Sequence, residues 1–397
     1  MTAQFQKEVL VAVFAAAAGM APFAGTAAAC PVCPAVEHRP TLHEQYARAD
    51  VAVLAKWIAG DLPGGKPSAS IAYRVLQVPR GAGSGLERGA AITVETSESV
   101  KKESLALLIG KRSGDGVIEW SAPREVDSVL YNYIVRAPAR DAEPQERLRY
   151  YVEYLEHSNP EIASDSYAEL TDFSIDEIAA RPGDLPRELL RKAIGNSELH
   201  PVRRALFGVM LGLCGDRSDA ELLLDQFADP AEEPSFGVEG MMIGYVLIRG
   251  EAGLQTLEAL KLREPAASPS DSYAAFAAVR YLLTWGGSGV PPERLQKALH
   301  PLIERSEFTD IVTLVLARRK DWSVQGRLME LFGAGGFDGP STKRAIIRYM
   351  LASTQDPPAC AEGCVPFQVA EGLKHLAELR RREPRLVSEC ERYFYSP

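Results

Sequence analysis

Two hydrophobic periods divide the chain. From residue 50 to about residue 135 the apolar side chains alternate or run in blocks of strand length. Val51–Trp57 is a continuous apolar run, and Ser70–Val78 places Ile71, Tyr73, Val75 and Val78 in near-alternation. Further strands are predicted over Ala91–Thr96, Ser104–Gly110 and Val117–Trp120. Ser113-Gly-Asp-Gly116 supplies the Asp-Gly chemistry of a hairpin, because glycine tolerates the positive φ such a turn needs. Short strands this closely spaced suit a small closed or partly open barrel. A polar, Pro-containing linker at Asp141–Pro144 follows.

Beyond it the period changes to that of a helix. Leu148, Tyr151, Val152 and Leu155 fall on one helical face. Helices are predicted over 160–172, 185–195, 201–214, 218–228, 238–248, 251–263, 271–285, 291–304, 308–319, 322–333, 340–353 and 366–382, with Gly, Pro, Asp and Asn between them. Helix pairs recurring at about 33 to 40 residues are the signature of an α-solenoid. The expected fold is therefore α+β and multidomain: a signal peptide over 1–29, a β domain over 30–137 and a helical-repeat domain over 138–397.

The first segment belongs to export rather than to the fold. Lys7 gives a positive start, Val9–Gly19 an apolar centre, and Ala27-Ala28-Ala29 a small-residue cleavage site. Cleavage there leaves Cys30 as the first mature residue and places the protein in the periplasm, the cell envelope or the medium. The same residues admit acylation of Cys30 and a lipid anchor, although Ala27 stands where lipoprotein processing usually has Leu. No later segment reaches transmembrane length. The chain carries 44 Lys and Arg against 53 Asp and Glu, a net charge of −9. This balance argues against a nucleic-acid partner, which requires a basic face.

Several stretches resemble known families. Ala49–Lys56, Tyr73–Val78 and Leu108–Gly116, with an N-terminal cysteine pair, are similar to the netrin-like module of tissue metalloproteinase inhibitors, which implies an OB-type barrel. The spacing departs from that family. Here it is Cys30-Pro-Val-Cys33, and no cysteine follows until Cys214, so the family's disulfide scheme does not transfer. Pro201–Asp216 resembles HEAT-like repeats, and Lys343–Met350 echoes it. The whole chain is similar to a set of secreted planctomycete-type proteins. The matching pieces are Ala29–Cys33, Asp165–Asp172, Leu213–Asp216, Gly237–Tyr245 and Arg344–Met350. That resemblance implies an architecture and no activity.

Candidate chemistry concentrates at the cysteines. In an exported chain Cys30 and Cys33 are expected to form a structural disulfide or remain simple thiols, with acylation, thiol exchange and metal binding as the alternatives. Cys30, Cys33, His38 and His43 have the spacing C-x2-C-x4-H-x4-H, a candidate tetrahedral metal set. Cys360, Cys364 and Cys390 are candidates for a disulfide near the C-terminus, whereas Cys214 reads as a buried thiol. No Ser-His-Asp order, H-E-x-x-H or P-loop pattern occurs. The expectation is a non-enzymatic binding or scaffold protein without a cofactor, acting on an unidentified protein partner. A periplasmic thiol-redox accessory or metal-binding protein built on Cys30 and Cys33 is the alternative.

Overall fold

The computed structural model describes residues 40–60, 68–81, 83–98, 100–196, 199–229, 236–355 and 365–394. It opens with a short helix, α1 (Leu42–Ala47), and continues into the strands β1 (Val51–Ala59), β2 (Ala69–Arg80), β3 (Ala91–Thr96), β4 (Leu105–Arg112), β5 (Ile118–Trp120) and β6 (Arg124–Glu125). All pairings are antiparallel, in the order β3-β2-β1-β4-β5 with β6 also on β4, and the sheet curls into a nearly closed barrel. Register shifts between β1 and β2, at Ala52/Leu54 and again at Leu54/Ala55, add the local bend that curling requires.

The continuous apolar run of β1 has a specific cause. Val51, Val53 and Ala55 point into the barrel, against Ile71, Tyr73, Val75, Val94 and Leu108. Ala52 and Leu54 point the other way, into the core of the helical region with Leu107 of β4. A strand covered on both faces has no solvent side on which to place polar residues. The strands β2 and β3 alternate instead, as half-buried strands do.

Helices follow. The first are α2 (Ser128–Arg136), α3 (Pro144–Glu153), α4 (Pro160–Thr171), α5 (Ile175–Ala179), α6 (Arg187–Ile194), α7 (Pro201–Cys214) and α8 (Arg217–Asp225). Then come α9 (Val238–Leu257), α10 (Pro269–Trp285), α11 (Pro292–Leu299), α12 (Thr309–Arg318) and α13 (Gln325–Leu331). The last are α14 (Pro340–Gln355), α15 (Phe367–Arg382) and α16 (Pro384–Arg392). The helix α2 starts inside the stretch read as β. Asp127 caps it, accepting from Leu130 N at 2.7 Å, and its Leu130, Tyr133 and Ile134 lie in the helical core. The two helices expected on either side of residue 250 join into α9, with a break at Gly250 (φ 57°, ψ −135°). The expected helix over 291–304 changes to 3-10 at His300–Glu304, where Pro301 has no N–H for the α-helical ladder.

Packing follows chain order: α6 on α7, α7 on α9, α9 on α10, α12 on α14, and α14 on α15 and α16. A longer reach occurs where Trp285 Nε1 donates to Asp176 Oδ1 at 2.7 Å, joining the end of α10 to α5. The α7–α9 crossing is the closest. Gly208 and Gly212 on one helix face Gly240 and Gly244 on the other, and a Cβ added at Gly244 would lie 2.1 Å from the Gly208 carbonyl oxygen. Among the described residues no helix is long and apolar enough to cross a membrane.

Candidate functional site

The richest polar cluster among the described residues lies where α1 meets α2, α3 and α4. Thr41 begins it. Its hydroxyl caps α1 by accepting from Glu44 N at 3.0 Å, and donates to Glu169 of α4. Glu44 closes the capping box, its carboxylate accepting from Thr41 N at 3.1 Å. Leu42 N donates to Asp165 Oδ1 at 2.7 Å, and Tyr133 Oη of α2 donates to Asp165 Oδ2 at 2.9 Å. In this way α4 holds the first turn of α1 through two carboxylates one helical turn apart.

Cations balance these acids. Arg147 of α3 lies 3.5 Å from Glu169. Arg140, on the linker before α3, is 2.6 Å from Glu44, 3.5 Å from Asp172 and 3.9 Å from Glu169. Glu169 is fully buried, so its charge depends on this pairing. Burial pushes the Asp165 carboxyl up to about 6, against the stabilising bonds from Leu42 and Tyr133. Burial together with the Asp165 charge raises the Tyr133 hydroxyl well above its ordinary range, so it stays protonated and donates.

His43 points into this cluster from α1. It is 3 % exposed, and neither ring nitrogen makes a well-formed hydrogen bond. Burial lowers its pKa, opposed by the nearby Glu169. A neutral imidazole packed against Tyr46 follows, at 6.5 Å between ring centroids. Of the other candidate metal ligands, Cys30, Cys33 and His38 lie outside the described residues. The expected signal peptide over 1–29 and the alternative of acylation at Cys30 lie outside them too. Cys360 and Cys364 also lie outside them. Cys390 is buried on α16 as a free thiol. Cys214 is half-buried and free, and burial pushes its thiol up to about 11, which makes it a poor nucleophile. Among the described residues no group of three or more His, Cys, Asp or Glu is arranged to hold a metal ion.

Sequence reading missed Asp165, Glu169, Arg140, Arg147 and Tyr133 as a group. The signal was present: Asp165-Ser-Tyr-Ala-Glu-Leu-Thr-Asp172 places acids one turn apart on a helix whose Ile162, Ala163 and Leu170 are core. Chemically the cluster is an anchor, since each carboxylate is already engaged by groups of the same chain. Comparable pins occur further along. Asp219 is held by Arg187 and Arg191, Lys261 by Asp271 at 2.7 Å, and Asp321 by His300 at 2.7 Å. No family model, curated protein or solved structure matches this chain.

Proposed function

We propose that this is an exported, non-enzymatic binding and scaffold protein whose helical half is a HEAT-like α-solenoid that docks a protein partner. Its export would use the signal peptide over 1–29, leaving Cys30 at the mature N-terminus, and its barrel would be of the netrin-like, OB type. The observation that carries the reading is the packing of the helices on their neighbours in chain order. Stacking of that kind builds an extended surface rather than a closed pocket. Two further features support it. The buried acids Glu169, Asp219 and Asp271 are each paired with a cation from a neighbouring element, which ties adjacent helices together. Large apolar side chains stand exposed on the helical half, among them Phe236, Tyr273, Leu314 and Phe367, and exposed aromatics are typical interface anchors.

The test is photo-crosslinking in cells, with the crosslinking residue placed in turn at Tyr273, Leu314 and Phe367, and at the barrel positions Val117 and Ile58 for comparison. The expected result is one recurrent protein adduct at helical positions, recovered from the envelope or periplasmic fraction. Adducts formed through the barrel positions alone, or protein confined to the cytoplasm with residues 1–29 retained, would overturn it.

A further inference from the structure

A groove of about 640 Å³ lies where α1, the loop after β3, the strand β4 and the β5–β6 connection meet. Its floor is apolar and buried, formed by Ala49, Val100, Ala106 and Leu107. Its rim carries Arg48, Lys101, Lys111 and Arg124 against Glu98 and Glu125, an excess of positive charge. Part of that charge is already matched: Arg124 lies 2.6 Å from Glu161, Lys101 3.9 Å from Glu125, and Arg48 3.5 Å from Glu44. Lys111 has no anionic partner among the described residues.

Tyr73 makes this groove more than a surface dent. The residue lines it, is fully buried, and has a hydroxyl without a hydrogen-bond partner among the described residues. Buried hydroxyls are costly when unpaired, and a hydroxyl retained next to a groove is explained if a ligand supplies the acceptor. Burial pushes this phenol up to about 12, so it is a donor throughout the physiological range.

We propose that the groove binds a small organic anion of dipeptide to disaccharide size. Its carboxylate would pair with Lys101, the rim cation at Tyr73's end of the groove and held only at 3.9 Å by Glu125, and its carbonyl or hydroxyl oxygen would accept from Tyr73 Oη. The volume falls within the range of about 300 to 1,000 Å³ usual for small-molecule sites. The mixed floor and rim suit a ligand with one apolar face and one charged end. This site is separate from the helical surface, so its failure would leave the scaffold reading standing.

The test is calorimetric titration of the full chain with digalacturonate, with acetyl-Ala-Ala, and with the neutral amide of acetyl-Ala-Ala. At least one of the two carboxylates is expected to bind, and the neutral amide at least about tenfold more weakly. Which carboxylate binds distinguishes a sugar acid from a peptide terminus. Tyr73→Phe removes only the orphan hydroxyl, so the fold is retained, and affinity is expected to fall by about tenfold. Lys101→Ala is expected to weaken binding several-fold and to flatten its salt dependence. Failure of both carboxylates to bind at millimolar concentration, or binding unchanged in Tyr73→Phe, overturns the proposal.

Discussion

The crossing of α7 and α9 offers the sharpest physical test of the fold. In Gly244→Ala the new Cβ would lie 2.1 Å from the Gly208 carbonyl oxygen, with Leu223 Cδ1 at 3.1 Å. An ordinary carbon–oxygen contact is about 3.2 Å or more, so the helices must part by about 1 Å. The obstacle is backbone, and no rotamer change relieves it. Overpacking of a tight core costs about 1–3 kcal/mol, and a backbone clash belongs at or above the upper end. Alanine recovers about 1 kcal/mol through its better helix propensity. The net expectation is a loss of about 2–3 kcal/mol, and a fall in Tm of about 2–4 °C for a chain of this size. Gly326→Ala on α13 is the control. It carries the same propensity gain and has nothing within 4 Å of the added Cβ, so stability should hold or rise. Thermal unfolding followed by circular dichroism, with urea titration for the free energy, reads both. A Gly244→Ala protein as stable as the parent would refute the close crossing.

Three further outcomes follow from the polar anchors and the shared core. Asp165 has a folded pKa of about 6 against an ordinary 3.8, so the folded state binds its proton more tightly, and its contribution is full below about pH 4 and lost as the pH rises through about 6. At 1.36 kcal/mol per unit the loss is up to about 3 kcal/mol, so Asp165→Asn should gain stability relative to the parent between pH 4 and 8 by urea titration; a constant difference would contradict the assignment. Lys261→Met leaves the buried Asp271 carboxylate without its cation and should cost about 3–5 kcal/mol, while the double change with Asp271→Leu should recover most of it; equal losses in both would show that the ion pair is not the cause. The barrel segment 40–127 expressed alone should aggregate, because Ala52, Leu54 and Leu107 lose their cover. A monodisperse, folded fragment by light scattering and NMR would show that the strand does not depend on the helices.

Five of the six strands were legible because each carried either alternation or an apolar block closed by turn residues, whereas β6, the two residues Arg124 and Glu125, carries neither. The long helices were legible from their apolar period. The short helices α1, α5 and α16 escaped, though their ends were written in the chain: Thr41 with Glu44 and Ser174 with Glu177 are capping boxes, and Pro384 opens α16. Too few turns were present for a period to stand out. The helix α2 escaped for another reason: it lies in a stretch dominated by strands, and only its Asp127 cap marked the change. The Gly208/Gly212 and Gly240/Gly244 spacing was visible as two small-residue pairs, but their facing each other is a tertiary fact. The anchor around Asp165 was harder still. Its partners Thr41, Tyr133 and Arg147 come from separate elements, and nothing local ties them together. The C-x2-C-x4-H-x4-H spacing points to Cys30 and Cys33 with His43 as a further ligand, whereas the His43 side chain packs inward beside Glu169.

The strand β1 acts as a party wall. One of its faces furnishes the barrel and the other furnishes the helical half, so neither room can be rebuilt without disturbing its neighbour. Insertions and exchanges between relatives of this chain should therefore spare Val51–Ala55 and fall at the outer strands or the far helices. A force or a ligand that distorts the barrel reaches the first helices through shared side chains, not through a hinge. The polar linker ahead of α3, which looks from its composition like a place to cut, is bridged on both sides by Leu54, Leu107 and Tyr133. Unfolding of the two halves should accordingly register as a single calorimetric event.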